Sequence, residues 1–272
     1  MNLIQHIERS LDLDPDLYKN AQPFPHIVID NFLPSSVIDS IIDVFPKPDD
    51  SIWNERIQEI YQHKLASNKV DLAPDAIRDV MYQLNSASTL KALERLTGEG
   101  PLISDPFFEG GGMHQIESGG YLAIHADFNK PRHLPLFRRL NLILYLNKDW
   151  DRSYNGELEL WSRDNKEKVR SVVPVANRVV VFTTDTTSFH GHPIPLSCPP
   201  DRTRRSLALY YYSVTAPERD HTGTTTRWRL ASGVAPDTMR QRTASLLWRT
   251  AGKLQNIAGR MERKRDNSAA GH

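Results

Sequence analysis

The stretch GGYLAIHADFN, residues 119–129, sets a histidine and an aspartate two apart at the end of an apolar run. Side chains at i and i+2 of a strand leave the same face, with Cα atoms about 6.6 Å apart. His125 and Asp127 can therefore approach one ion together, and the chain contains no second His-x-Asp. The same spacing also suits a plain strand that runs into a turn, with Asp127 as the turn residue. A metal needs a third ligand, and TTSFHGHP, residues 186–193, supplies a candidate. It follows the strand-like RVVVF and places His190 just beyond that strand's end. Two histidines and one carboxylate on one side of an octahedron leave three positions open, the arrangement of non-haem Fe(II) oxygenases. A closed four-ligand zinc site offers no such positions. His192 also qualifies by position, but Pro193 opposes a regular continuation of the strand. It is assigned a supporting or solvated place.

A further candidate lies in DRTRRSLALYYYSV, residues 201–214. An arginine at the start of a strand can form a bidentate pair with a carboxylate. Alternation puts Arg204, Ser206, Ala208 and Tyr210 on one face and Arg205, Leu207, Leu209 and Tyr211 on the other. The first face is small beyond its arginine and has room for a slim dicarboxylate. The second reads as core packing, so Arg204 is preferred, with Arg205 the alternative. An arginine pair that merely blunts a sheet edge is the competing explanation.

These residues need a scaffold. Residues 1–20 read as a short helix and its exit. PFPHIVIDNFLP (23–34) reads as a strand, and SSVIDSIIDVF after Pro34 as a helix. Residues 74–98 form one or two helices that Gly98 stops, while residues 51–70 show no clear period. After residue 100, short runs rich in Val, Leu, Ile and Tyr alternate with turn residues: GMHQIES, YLAIHAD, RLNLILYLN, GELELW, VRSVVPV, RVVVFTT and RSLALYYYSV. That texture predicts an antiparallel sandwich or jelly roll. The expected class is α+β: a jelly-roll core with N-terminal supporting helices and a C-terminal helix. The expected catalytic domain is 1–220, with helical support in 1–100 and the sheet core at about 101–215. Residues 221–272 form an extension.

In that extension, TMRQRTASLLWRTAGKLQNIAGRMERKR carries an apolar stripe (Ala244, Leu247, Ala251, Leu254, Ala258, Met261) with basic residues mostly off it. Such a helix packs on the barrel or a second subunit, lies on an anionic membrane, or touches nucleic-acid phosphates. The net charge of the whole chain is +1, so no bulk field draws it to nucleic acid or membrane. Cys198 is the lone cysteine and can form no internal disulfide. With no signal peptide and no transmembrane run in view, the expected location is cytoplasmic.

Taken together, PFPHIVIDNFLP, GGYLAIHADFN, RRLNLILYLNKDWDRSYNGELELW, RVVVFTTDTTSFHGHP and RRSLALYYYSV resemble the 2-oxoglutarate- and Fe(II)-dependent dioxygenase superfamily. Within it they are most similar to the prolyl-4-hydroxylase-like branch, including the hypoxia-type prolyl hydroxylases. The resemblance implies a double-stranded β-helix core and iron held by His125, Asp127 and His190. It implies that Arg204 binds the distal carboxylate of 2-oxoglutarate and that Tyr145, in LILYLNKDW, bonds the same carboxylate. Arg204 lies 14 residues after His190, farther than is usual in the family, because of the insert PIPLSCPPD. The implied chemistry is oxidative decarboxylation of 2-oxoglutarate by dioxygen, coupled to hydroxylation of an unactivated C–H, with ascorbate as a reductant.

The branch favours a prolyl or other residue of a protein or peptide as substrate. A small-molecule or lipid-linked substrate is the alternative, and so is a non-catalytic binding module on the same scaffold. Halogenation is disfavoured, because the halide needs the position that Asp127 fills. Gln115 and Glu117 are candidates for the mouth or for solvent-facing strand positions. The loop NKPRHLPLFRR (129–139) is a candidate lid or a plain surface connection.

Overall fold

The computed structural model describes residues 2–131, 135–216 and 226–229, and the structural statements below concern those residues. The helices are α1 (Leu3–Ser10), α2 (Pro15–Lys19), α3 (Ser35–Asp43), α4 (Asp75–Leu84) and α5 (Ala87–Thr97). The strands are β1 (His26–Ile29), β2 (Glu55–Glu59), β3 (Gln62–Ser67), β4 (Ile103–Ser104), β5 (Gly112–Ile116), β6 (Tyr121–Ala126), β7 (Phe137–Tyr145), β8 (Leu158–Trp161), β9 (Lys168–Val172), β10 (Val179–Thr183), β11 (His190–His192), β12 (Arg204–Ser213) and β13 (Arg227–Arg229).

Local chemistry explains the helix ends. The Asn2 and Gln5 side chains cap α1 reciprocally. Residues 74–98 form two helices because Ser86 caps α5, its hydroxyl accepting from the Thr89 amide, and so starts a new helix directly after α4. Gly98 ends α5 in the left-handed region at φ 72°. Residues 51–70, without a clear period in the sequence, form the antiparallel pair β2–β3.

The strands follow one antiparallel ladder in the order β1-β10-β7-β12-β5-β3-β6-β11-β8-β9. This is the double-stranded β-helix that the resemblance implies, the jelly roll of the two forms, sandwich or jelly roll, that the strand texture allows. β3 joins its two halves: Leu65–Ser67 pair with β5, while Gln62 and His63 pair with β6. The ladder therefore brings β6 and β11, with their histidines, around to the cavity that β12 and β7 also line.

Period-2 alternation divides the sheet into a supporting face and a working face. Leu140, Leu142, Leu144, Val179, Val181, Leu207, Leu209 and Tyr211 belong to one large core with Ile7, Ile41, Ile77, Met81 and Leu93 of the helices. The Tyr211 hydroxyl donates to the Leu84 carbonyl at 2.9 Å and ties β12 to α4. On the opposite face, Tyr145, Val180 and Phe182 pack with Phe24, Leu158 and Leu160.

No described helix is long and apolar enough to cross a membrane. The basic stripe of residues 244–261 lies outside the described residues. Residues 227–229 fall in the stretch that the sequence assigns to the extension, yet they pair as β13 with Ile124–Ala126 of β6.

Candidate metal centre and co-substrate pocket

β6 carries His125 inward, and Asp127 follows one residue past the strand's end. β11 pairs with β6 so that His190 lies opposite His125, and the ring centroids are 4.5 Å apart. Gly191 lets β11 fit between β6 and β8, since a Cβ there would lie 2.7 Å from the Ala123 carbonyl. The three candidate ligands thus meet. His125 Nε2 stands 3.3 Å from Asp127 Oδ1, and His190 Nε2 stands 3.5 Å from Asp127 Oδ2. One ligand atom from each of the three lies within 4.8 Å of the others. Adjacent ligands on an octahedral ion with bonds of about 2.1 Å stand about 3 Å apart, so small movements would complete the set.

The surroundings fix each ligand. His125 Nδ1 is 2.9 Å from the Ala123 carbonyl, and His190 Nδ1 is 2.9 Å from the Ser188 carbonyl. A carbonyl only accepts, so both Nδ1 atoms carry the proton and both Nε2 lone pairs face Asp127. Burial pushes the His190 pKa down to about 4, which keeps its lone pair free at neutral pH. Asp127 Oδ2 accepts from Asn141 Nδ2 at 2.8 Å and forms an ion pair with Arg138 Nη2 at 2.9 Å. Burial by itself would raise the Asp127 pKa. Arg138 and the two histidines outweigh it and hold the carboxyl well below the usual range. Arg138 is itself fully buried, stacked 3.3 Å from the Tyr210 ring centroid and held by Asn141 Oδ1 at 2.8 Å.

The cavity that contains these groups measures about 220 Å³. Arg204, Ser206, Ala208 and Tyr210 all line it, as their shared parity requires. Arg205 points the other way, over the Phe45 ring. Arg204 is 5% exposed. Its Nε donates to the Gly156 carbonyl at 2.8 Å and its Nη2 to the Tyr145 hydroxyl at 3.3 Å. Gly156 adopts φ 78°, and a Cβ there would come within 3.1 Å of Arg204 Cδ. No carboxylate among the described residues pairs with Arg204, and burial lowers its pKa. Burial likewise raises that of Tyr145. A buried guanidinium without a counter-charge, beside a phenol, is a receptor for an anion.

Comparison with known proteins gives this geometry a context. Residues 111–212 match the family model of the 2OG-Fe(II) oxygenase superfamily, and they contain all five of these residues. Over that stretch the chain is similar to the 2OG-Fe(II) oxygenase superfamily. An 86-residue stretch, 29% of this chain, is 36% identical to prolyl 3-hydroxylase OGFOD1 of Mus musculus. The match spans only 15% of that relative's length. Among solved structures, it is similar to a Trichoplax adhaerens prolyl hydroxylase in complex with a hypoxia inducible factor peptide fragment. The TM-score there is 0.55 at 20% identity, over 77% of this chain and 91% of the other. A prolyl 4-hydroxylase of Phytophthora capsici gives 0.51 at 17%, over 77% of this chain and 65% of the other. At those identities the likeness is one of fold, and the fold is the prolyl-hydroxylase-type double-stranded β-helix.

Several residues of the site escape sequence reasoning. Neither Gln115 nor Glu117 reaches the cavity. Gln115 is fully buried on the other face of β5, its Nε2 on Thr203 Oγ1 at 2.8 Å, and its neighbours His114 and Ile116 line the cavity instead. His192 is not solvated: it is 2% exposed and lines the cavity with neither ring nitrogen bonded. Of the candidate loop 129–139, residues 132–134 lie outside the described residues, and from Phe137 onward the chain is strand β7. Trp228 of β13 leans on His125 at 4.8 Å and stacks on Tyr61 at 5.3 Å, 18° from parallel. No short motif announces Arg138 or Asn141, in a strand that reads as ordinary, or Lys64 and Trp228, in stretches that do not read as strands.

Proposed function

We propose that the protein is an Fe(II)- and 2-oxoglutarate-dependent hydroxylase of an unactivated C–H, acting on a prolyl or other residue of a protein or peptide. One observation carries this reading. Two Nε2 lone pairs and a carboxylate converge in the same cavity as a buried arginine that lacks a counter-charge. Among the described residues, only a ligand that bridges a metal and a cation uses both features. A non-catalytic module has no need of either.

In this reading His125, Asp127 and His190 hold Fe(II). Arg204 and Tyr145 take the distal carboxylate of 2-oxoglutarate. Bound together with dioxygen, the metal and co-substrate supply the oxidation, in which 2-oxoglutarate loses CO2 to become succinate; ascorbate serves as a reductant that maintains Fe(II). The chain's own residues do the positioning. Ala123 and Ser188 carbonyls hold the two imidazoles in the ligating tautomer. Arg138 and Asn141 hold Asp127 Oδ2, which leaves Oδ1 for the ion. Arg204, fixed by Gly156, sets how deep the co-substrate lies and so orients its keto-acid end. Ile143, Leu158 and Phe128 make much of the remaining wall apolar.

The test is an anaerobic titration with Fe(II) and 2-oxoglutarate, read by the weak visible charge-transfer band of a chelated keto acid. A band in the wild type that disappears in Asp127→Ala is expected. A folded, iron-loaded protein without the band would move the binding-module reading ahead. The relatives named above act on proline, and a hydroxyproline readout on candidate peptides is the matching substrate assay.

A further inference from the structure

The proposed reading uses Asp127, two histidines, Arg204 and Tyr145, and leaves a second cation in the same cavity unexplained. β3 pairs with β5 at Leu65–Gln115 and Ala66–His114, so Lys64 stands next in register to Ile116, which pairs with Arg204 on β12. Lys64, Ile116 and Arg204 form one row across three strands, and all three line the cavity. His114, in the neighbouring row, and His192, on β11, line it too.

The Lys64 ammonium has no hydrogen bond or ion pair among the described residues. The acid that acts on it most strongly is Glu55, which is exposed at the cavity's rim. His192 is buried with both ring nitrogens unbonded, and His114 Nε2 is unbonded as well.

Charge balance points the same way. The wall carries the cations Lys64, Arg138 and Arg204 against the carboxylates Glu55 and Asp127. Arg138 and Asp127 cancel as an ion pair. A divalent metal and a 2-oxoglutarate dianion cancel each other. Lys64 and Arg204 are left with only the exposed, solvent-screened Glu55 against them. A half-buried ammonium beside a buried, unbonded imidazole is costly when empty and favourable when an anion accepts from both.

We propose that Lys64, with the unbonded His192 beside it, is a second anion subsite, and that the molecule oxidised presents a carboxylate there. This rests on the oxygenase reading and adds a substrate class to it: an acidic group close to the bond that reacts. The other source of a carboxylate in this cavity is 2-oxoglutarate itself, and the experiment separates the two.

Protein loaded with Mn(II) and saturating 2-oxoglutarate is titrated with sodium acetate in a calorimeter, and 2-oxoglutarate affinity is measured separately. Wild type binds acetate. Lys64→Met weakens it by about tenfold or more, Lys64→Arg retains it, and both variants keep 2-oxoglutarate affinity within about twofold. Acetate binding that is absent, or unchanged in Lys64→Met, overturns the proposal. So does a tenfold loss of 2-oxoglutarate affinity in Lys64→Met, which would assign Lys64 to the co-substrate. A wild type that binds Mn(II) but no 2-oxoglutarate removes the oxygenase reading, and the subsite with it. That outcome is seen before any acetate is added.

Discussion

β7 and β12 each present two faces that obey opposite rules. The outer face is Leu140, Leu142, Leu144, Leu207, Leu209 and Tyr211, all buried against the helices. The inner face is Asn141, Ile143 and Tyr145 with Arg204, Ser206, Ala208 and Tyr210. The strands and the backbone ladder are the same, but one face buries apolar area and the other buries charge. Apolar burial on one side provides the free energy that lets the other hold a lone guanidinium and a tightly packed ion pair. The difference teaches that stability and chemistry are assigned here by side-chain parity, not by separate segments.

The comparison breaks most sharply at Asp127. Asp127→Ala removes a metal ligand and leaves Arg138 buried without its partner. Metal binding falls by roughly a hundredfold or more, and the metal-free protein loses about 3–5 kcal/mol in urea unfolding. Leu209→Ala on the outer face costs about 2–5 kcal/mol by the same measurement, with 2-oxoglutarate affinity of the folded protein unchanged. A weakened co-substrate affinity there would show that the two faces are not independent.

The inner face also carries a pH signature. His26, His114, His190 and His192 all have pKa values lowered chiefly by burial, with His190 at about 4. The unfolded chain then binds more protons than the folded one below its own histidine pKa of about 6.5, so stability is full above that pH. It is expected to decline as pH falls from about 6.5 towards 4 in the metal-free protein, followed by urea midpoints. His190→Asn should flatten the decline, whereas Leu209→Ala should shift the whole curve down without changing its slope.

Arg204→Met weakens 2-oxoglutarate binding by about tenfold or more, roughly 1.4 kcal/mol, without lowering the thermal midpoint of the ligand-free protein. A large drop in that midpoint would mean that Arg204 is a structural residue. Tyr145→Phe is the smallest step: loss of one hydrogen bond costs about 0.5–1.5 kcal/mol, a few-fold in 2-oxoglutarate affinity and nothing in metal affinity.

Much of this was legible in the residues. The i, i+2 spacing of His125 and Asp127 and the alternation in RRSLALYYYSV are local facts about a strand, and a strand's period of two does not depend on its neighbours. The choice of a sandwich or jelly roll and the preference for Arg204 over Arg205 as the inward arginine followed from that period, while the double-stranded β-helix itself followed from the resemblance. Arg138 shows where such reasoning stops. Plain alternation puts it with Leu140 on the outer face. In the β7–β12 ladder, Tyr211 pairs with Leu140 and Tyr212 with Arg138, so Arg139 is an extra residue on β7. That bulge flips the parity and turns Arg138 towards Asp127.

The sequence by itself determined most strand elements after residue 100, most of their buried faces and the identity of the groups able to hold a metal and an acid, because these depend on spacing along one chain. The tertiary structure alone decided which of them meet. His190 is opposite His125 because Gly191 lets two strands close up, and Arg138 faces Asp127 because of one extra residue. Lys64 shares a row with Arg204 because β3 joins the two halves of the ladder. Register between distant strands is set by the packing of the whole barrel, and no local pattern encodes it.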